Sequence, residues 1–481
     1  MKSVKKAAVL GLDGLSWNYL NKLIRHGILT HTRHLISNKN TYVFDLECFP
    51  PSTPPSWTSI MTGVNPGKHG IFAFDFIDYA TLEHRLFNAM HLEHPRIHEM
   101  LSMLKIPSIV INPIPGYPLI PAKSSKIISY TIIVPKTQYY PRNEIMKKYA
   151  EKINSALELK HRKTDETDEC KRTLLASVNL VEAVFEIVED IINLYEWNLL
   201  WINLQIPDII LHKCNFQIFT KVLNIEHRLF KRIDNLARML NELSDIFVIV
   251  SDHGFSTYNR LVRINDILAK KSYVKTTKKP TARALKEYKE IKLEILGKSI
   301  KEESYNQYGY VDKEKSIAFY ISKWNLGIYV KAIEAIAKIR KILSSTEGIK
   351  WVKSREEVYS GPYVKRAPHL IIRPDYEGGF LQSDNKVIGK MYEEGEFKDH
   401  HPSGVLIVKT KDLRLKDKIK IPNYTVTPLI MLTLNLPLPK TTDATKELMN
   451  IISGKQVKIK FKNYLPEWKI MKSMIKYLRY R

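Results

Sequence analysis

Ala7-Ala8-Val9-Leu10-Gly11-Leu12-Asp13-Gly14 is a short apolar run that stops on a carboxylate. It is too short, and too soon polar, for the apolar region of a signal peptide, although Lys2, Lys5 and Lys6 precede it. It reads as a first buried strand. Two later runs have the same form: residues 199–206 lead into Asp208, and Ile246–Val250 leads into Asp252. In an open parallel α/β sheet, ligands gather at the carboxyl ends of the strands. Three aspartates after three such runs therefore mark a candidate site.

Helical patterns lie between the runs. Within residues 175–195, Val178, Val181, Val184, Phe185 and Val188 recur at three- and four-residue intervals, and residues 224–243 behave similarly. Alternating strands and helices predict a doubly wound, mostly parallel sheet with helices on both faces. A Lys-rich stretch over residues 272–315, with Lys275, Lys278, Lys279, Lys286 and Lys289, reads as an exposed insertion. The expected organisation is one catalytic domain over residues 1–450, carrying an insertion or cap at about 256–395, and a basic tail over 451–481. In that tail Trp468, Met471, Ile475 and Leu478 can share one helix face. Such a stripe more often packs on the protein's own surface than on an anionic membrane.

The chain has 481 residues, 44% of them hydrophobic, and no apolar run of the roughly 20 residues that span a bilayer. Cys48, Cys170 and Cys214 form no CxxC pair, so neither a disulfide framework nor a zinc knuckle is expected, and a reducing, cytoplasmic setting fits. A formal charge of +25 draws anionic partners. It supports a phosphorylated small molecule or a polyanion as substrate, while no motif supports nucleic acid. Oligomeric state leaves no trace in the sequence.

Chemistry-bearing residues occur in four places. Phe49-Pro50-Pro51-Ser52-Thr53-Pro54-Pro55-Ser56-Trp57 passes into a helical pattern. A hydroxyl there serves equally as a helix cap or as a nucleophile beside a phosphate held at the helix start. Asp208 and His212 are four residues apart, Asp252 and His253 adjoin, and His400-His401 precede Pro402. Each alone is commonly structural. Together they are a set of carboxylates and imidazoles suited to zinc or a similar divalent ion.

Their order is specific. Val9-Leu10-Gly11-Leu12-Asp13-Gly14, then Thr53-Pro54-Pro55-Ser56-Trp57-Thr58-Ser59 with Thr62-Gly63, then Asn65-Pro66-Gly67-Lys68-His69-Gly70-Ile71 resemble the opening of the type I phosphodiesterase/nucleotide pyrophosphatase family, in the alkaline phosphatase superfamily. Asp208-x-x-x-His212, Ser251-Asp252-His253-Gly254-Phe255, His400 four residues before Gly404, and Tyr424-Thr425-Val426-Thr427-Pro428 follow in that family's order.

The resemblance implies two divalent ions, zinc foremost, with manganese or iron compatible. It assigns Asp208, His212 and His400 to one ion, and Asp13, Asp252 and His253 to the other. Thr53 lies between them as the nucleophile that takes up the phosphoryl group. Ser56 and backbone amides near Thr53 are the expected donors to phosphoryl oxygens. Nucleotide-cleaving members place an Asn where Ser56 stands, so the leaving group stays open. Sulfatase chemistry is disfavoured, because a threonine cannot mature to a formylglycine. His401 and His69 read as structural. The implied activity is hydrolysis of phosphate diesters or pyrophosphates. Transfer to an alcohol, or a non-catalytic basic polyanion or membrane-surface binder on the same fold, are the alternatives.

Overall fold

Ala7–Leu12 (β1) is buried along its whole length because it runs down the middle of a large sheet. The computed structural model describes residues 5–130, 137–158, 169–214, 223–277, 309–382, 386–454 and 457–473. Among these, the central sheet also contains β2 (Thr41–Glu47), β3 (Ser108–Ile111), β4 (Ser125–Ser129), β5 (Gln138–Tyr140), β6 (Leu199–Leu204), β7 (Ile246–Val250), β8 (Ser403–Lys409) and β9 (Ile419–Pro422), in the spatial order β9-β2-β8-β7-β1-β6-β3-β4-β5. Five of the pairings are parallel: β9 with β2, and the run β7-β1-β6-β3-β4. The expected sheet is the observed one.

Side-chain alternation divides the core between the two faces. Ala8, Leu10 and Leu12 join one cluster, and Ala7 and Val9 the other, as a period of two requires. The helices used below are α1 (Thr53–Thr62), α2 (Glu169–Leu194), α3 (Asp208–Lys213), α4 (Leu223–Leu243) and α5 (Leu465–Ser473). α2 and α4 cover the first face through Val181, Val184, Val188, Leu229 and Leu236. α1 and the Val426–Thr433 helix cover the second with Trp57, Met61 and Leu429.

The segment expected as an insertion is flanked by two paired strands. Gly254–Val262 runs antiparallel to Tyr392–His401, with Phe255 opposite His400. Between them Ala318–Tyr320, Gly327–Val330, Ile349–Ser354 and Leu370–Pro374 form a four-stranded sheet with its own core of Phe319, Ile328, Ile339 and Val352. Lys278, Lys279, Lys286 and Lys289 lie outside the described residues. In the tail, Trp468 on α5 is fully buried and its indole N–H donates to Glu99 Oε2 at 3.0 Å. That indole is spent on the protein itself. Ile475 and Leu478 lie outside the described residues. No described helix is long and apolar enough to cross a membrane.

One expectation is corrected. Cys170, at the start of α2, and Cys214, just after α3, are joined in a disulfide, leaving Cys48 as a buried free thiol. The partners stand 44 positions apart in sequence. Only the packing of α3 against α2 brings them together, so no spacing motif announced the bond.

Candidate active site

Three adjacent strands set the site. β7, β1 and β6 run parallel, with Gly11 level with Val250 and Leu12 level with Leu204, so Asp252, Asp13 and Asp208 emerge at one edge. Gly11 is required here: a Cβ would stand 2.1 Å from Asn203 Oδ1 and 2.5 Å from the Trp57 ring. That gap lets Trp57 of α1 reach across the strand and donate its indole N–H to Asp13 Oδ2 at 3.1 Å. Gly14 turns the chain with φ 73°, a conformation glycine adopts without steric cost, and its backbone packs against Asp208.

Asp208 opens α3, and the helical repeat places His212 one turn later, with Nε2 3.4 Å from Asp208 Oδ1. His400 comes from the returning strand of the insertion, its Nε2 3.2 Å from Asp208 Oδ1 and 2.9 Å from His212 Nε2. On the other side, His253 Nε2 lies 3.5 Å from Asp13 Oδ1 and 3.4 Å from Asp252 Oδ2. Asp13, Asp252 and His253 form one compact group of possible ligands, and Asp208, His253 and His400 a second that shares a wall with it. Thr53 Oγ1, almost buried at the first position of α1, stands 3.4 Å from His253 Nε2.

Two observations show that divalent ions fit. The Nδ1 atoms of His253 and His400 face the carbonyls of Gly254 and Pro51 at 3.0 and 2.9 Å. A carbonyl only accepts, so Nδ1 carries the proton and each Nε2 keeps its lone pair for the site. Asp13 Oδ1, Asp208 Oδ1 and Asp252 Oδ2 are buried without a hydrogen-bond partner. Such atoms are costly unless a cation satisfies them. Ligands about 2.1 Å from a tetrahedral ion lie about 3.4 Å from one another, the spacing these atoms show.

Crowding has an electrostatic signature. Burial, reinforced by the charge of Asp208, holds the Asp13 carboxyl well above its usual range, and burial together with Asp13 does the same to Asp252. At Asp208 burial opposes ionisation but is outweighed by His212 and His400, so its pKa falls. Burial and the neighbouring His400 push His253 down to about 3.

The residues expected at the site divide in their placement. Asp13, Asp208, His212, Asp252, His253, His400 and Thr53 converge. Ser56 is turned away from the role of phosphoryl donor: its hydroxyl donates to the Asp252 carbonyl and accepts from Asn423 Nδ2 at 2.7 Å, so its hydrogen is already committed. The expected backbone amides are also fewer. Pro54 and Pro55 have no N–H and Ser56 N–H is bonded to Ser52 O, leaving Thr53 N–H in the first turn of α1. Ser52 is the cap residue but makes no capping bond. His401 accepts from Ser403 N–H, and His69 is buried against Ser59 Oγ at 3.0 Å.

Asp399, Lys323 and Asn423 were missed. Asp399 is buried, accepts the His400 N–H at 2.8 Å, and forms an ion pair with Lys323 from the insertion. The dipeptide Asp399-His400 repeats Asp252-His253 and was a readable signal. Lys323 and Asn423 had none, because contacts between distant parts of the chain leave no spacing pattern.

A doubly wound sheet with this constellation at its strand ends defines an α/β enzyme with the alkaline-phosphatase-like fold. The chain belongs to the type I phosphodiesterase/nucleotide pyrophosphatase family, whose model matches residues 7–402. It is thus a hydrolase of the phosphodiesterase and pyrophosphatase type. Among solved structures it is similar to a phosphonoacetate hydrolase from Sinorhizobium meliloti 1021 in complex with phosphonoformate, with TM-score 0.59 and 14% identity over 90% of this chain and 95% of that one. It is also similar to human ectonucleotide pyrophosphatase/phosphodiesterase 5, with TM-score 0.54 and 15% identity over 94% and 100% of the two chains. The murine counterpart, inactive through a threonine-to-alanine change and in complex with AMP, gives TM-score 0.53 and 13% identity over 93% and 100%. At such identities the likeness is one of fold. No curated protein matches in sequence.

Proposed function

We propose that the chain hydrolyses phosphate diesters or pyrophosphates in two displacements on Thr53, with two divalent ions, zinc foremost and manganese or iron compatible, held by Asp13, Asp252 and His253 and by Asp208, His212 and His400. The carrying observation is the convergence of six donors around three unpartnered carboxylate oxygens, with Thr53 Oγ1 at their edge. When bound, such ions supply the positive charge that favours the Thr53 alkoxide and offsets charge on the phosphoryl oxygens.

The chain's own residues do the rest. Thr53 Oγ1 gives up its proton and forms a bond to phosphorus as the bond to the leaving oxygen breaks, and the proton passes to the leaving group or to solvent. Water then forms a new bond to phosphorus as the Oγ1–P bond breaks, which releases the product and restores the hydroxyl. Proline at 54 and 55 fixes the backbone that presents Oγ1, and the Thr53 N–H donates to a phosphoryl oxygen in this reading. The indole of Trp57 holds one oxygen of Asp13, so the other stays directed at the site. The AMP complex of the murine relative supports a phosphorylated small-molecule substrate.

The test is to measure bound metal in purified protein and to assay bis(p-nitrophenyl) phosphate against the monoester. Acid-quenched samples should carry a phosphoryl group on Thr53, absent in Thr53→Ala. A folded, metal-loaded sample that turns over neither compound with zinc, manganese or magnesium overturns the reading. Release of product only when an alcohol acceptor is added would instead make the chain a transferase.

A further inference from the structure

α3 is six residues long, yet it supplies Asp208 and His212. A helix so short cannot hold itself, since forming its first turn costs more than its few internal hydrogen bonds return. Its ends must be fixed from outside. The amino end is tied by the Asp208 N–H to Asp13 O at 2.9 Å, and its middle by the buried Ile210 and Leu211. Its carboxyl end, where His212 sits, is tied by Cys214, two residues on, through the disulfide to Cys170 at the start of α2. Lys213 Nζ reaches Glu169 Oε1 at 2.9 Å beside it, but both side chains are exposed and such a pair contributes little.

The other ligands are anchored differently. Asp13 directly follows β1 with its N–H bonded to Leu204 O at 3.0 Å, Asp252 and His253 lie in the three-residue link between β7 and Gly254–Val262, and His400 lies on the strand paired with Gly254–Val262. Each lies on a paired strand or within two residues of one. Among the six proposed ligands, His212 sits nearest to a covalent tie, and that tie can be opened chemically.

We propose that Cys170 and Cys214 are positioning residues: their disulfide holds the carboxyl end of α3 so that His212 completes the half-site with Asp208 and His400, and opening it weakens one of the two ions selectively. This rests on the two-ion reading above. Opening requires a dithiol reductant. One of its thiolates attacks a cystine sulfur, the S–S bond breaks, and its second thiol resolves the mixed disulfide. Two electrons and two protons pass to the protein, leaving two cysteine thiols and the oxidised cyclic dithiol.

The experiment titrates manganese, by calorimetry, into three preparations of the full chain: oxidised wild type, wild type reduced with a dithiol that is then removed by gel filtration, and C170S/C214S. His212→Ala serves as the reference for loss of the ligand itself. Thiol counting in denaturant should give one thiol before reduction and three after. Two ions should bind the oxidised protein. In the reduced protein and the double variant one ion should bind unchanged and the other at least tenfold more weakly, matching His212→Ala, with unchanged circular dichroism. If the double variant fails to fold, the reduced wild type carries the comparison.

Equal affinities before and after reduction overturn the inference and leave the two-ion reading intact. Parallel weakening of both ions with loss of circular dichroism overturns it too, because the disulfide is then a general brace. Three free thiols in the untreated protein overturn it directly. An oxidised protein that binds no manganese, zinc or iron overturns the two-ion reading itself, and the inference with it.

Discussion

The imidazoles of His253 and His400 lie face to face, ring centroids 3.8 Å apart and 19° from parallel. One follows a central strand and the other returns from the far end of the insertion, 147 positions later in the sequence. Their stacking makes the two groups of ligands a single site.

Each group should nevertheless lose its ion separately. Asp13→Asn and Asp208→Asn each replace a buried carboxylate that carries an oxygen without a hydrogen-bond partner. Metal analysis should fall from two ions to one per chain in either variant, with turnover reduced by about 100-fold or more. The double variant should bind none.

Ser56→Ala should act on the scaffold and not on the substrate. The change leaves the Asp252 carbonyl without its donor and Asn423 Nδ2 without its acceptor. A cost of about 1–3 kcal/mol in denaturant unfolding is expected, with KM little changed. A large rise in KM at unchanged stability would return Ser56 to substrate contact.

Gly11→Ala should be far more harmful than its size implies. The added methyl would stand against Asn203 and Trp57 in a filled core, so about 1–3 kcal/mol of overpacking is expected. Displacing Trp57 also frees the oxygen of Asp13 that it holds. Denaturant midpoints and metal affinity should therefore fall together, whereas Gly27→Ala, where a Cβ meets nothing, should leave metal affinity unchanged.

Acid should destabilise the fold through histidines remote from the proposed ligands. His94 is buried between the Thr441 hydroxyl and the Pro95 carbonyl, and burial lowers its pKa to about 4. Its folded pKa lies below the unfolded value, so the unfolded chain binds the extra proton first. The stability it confers is complete above about pH 6.5 and is lost as pH falls toward 4, about 3 kcal/mol in all. Burial also keeps His69 and His98 neutral, and neither ring nitrogen of His98 has a hydrogen-bond partner. Unfolding followed from pH 8 to 4.5 should show this loss, reduced in His94→Gln.

Much of the site is legible in the sequence. Strands were readable from short apolar runs ending in acids, since burial on both faces demands continuous apolar sequence. Asp208 and His212 were readable because a helical turn sets their spacing. Asp399 was missed although it sits beside His400, and Asn423 because its only role is to meet Ser56 across the fold.

By itself the sequence determined the doubly wound sheet, the three aspartates at its strand ends, and the order of Thr53 and the histidines, because these depend on local periodicity and on residue type. Only the tertiary structure decided that Ser56 faces Asp252, that Trp468 is buried against Glu99, and that Cys170 reaches Cys214. Each of those depends on which distant side chain fills the neighbouring space. Packing settles that choice, and residue spacing does not encode it.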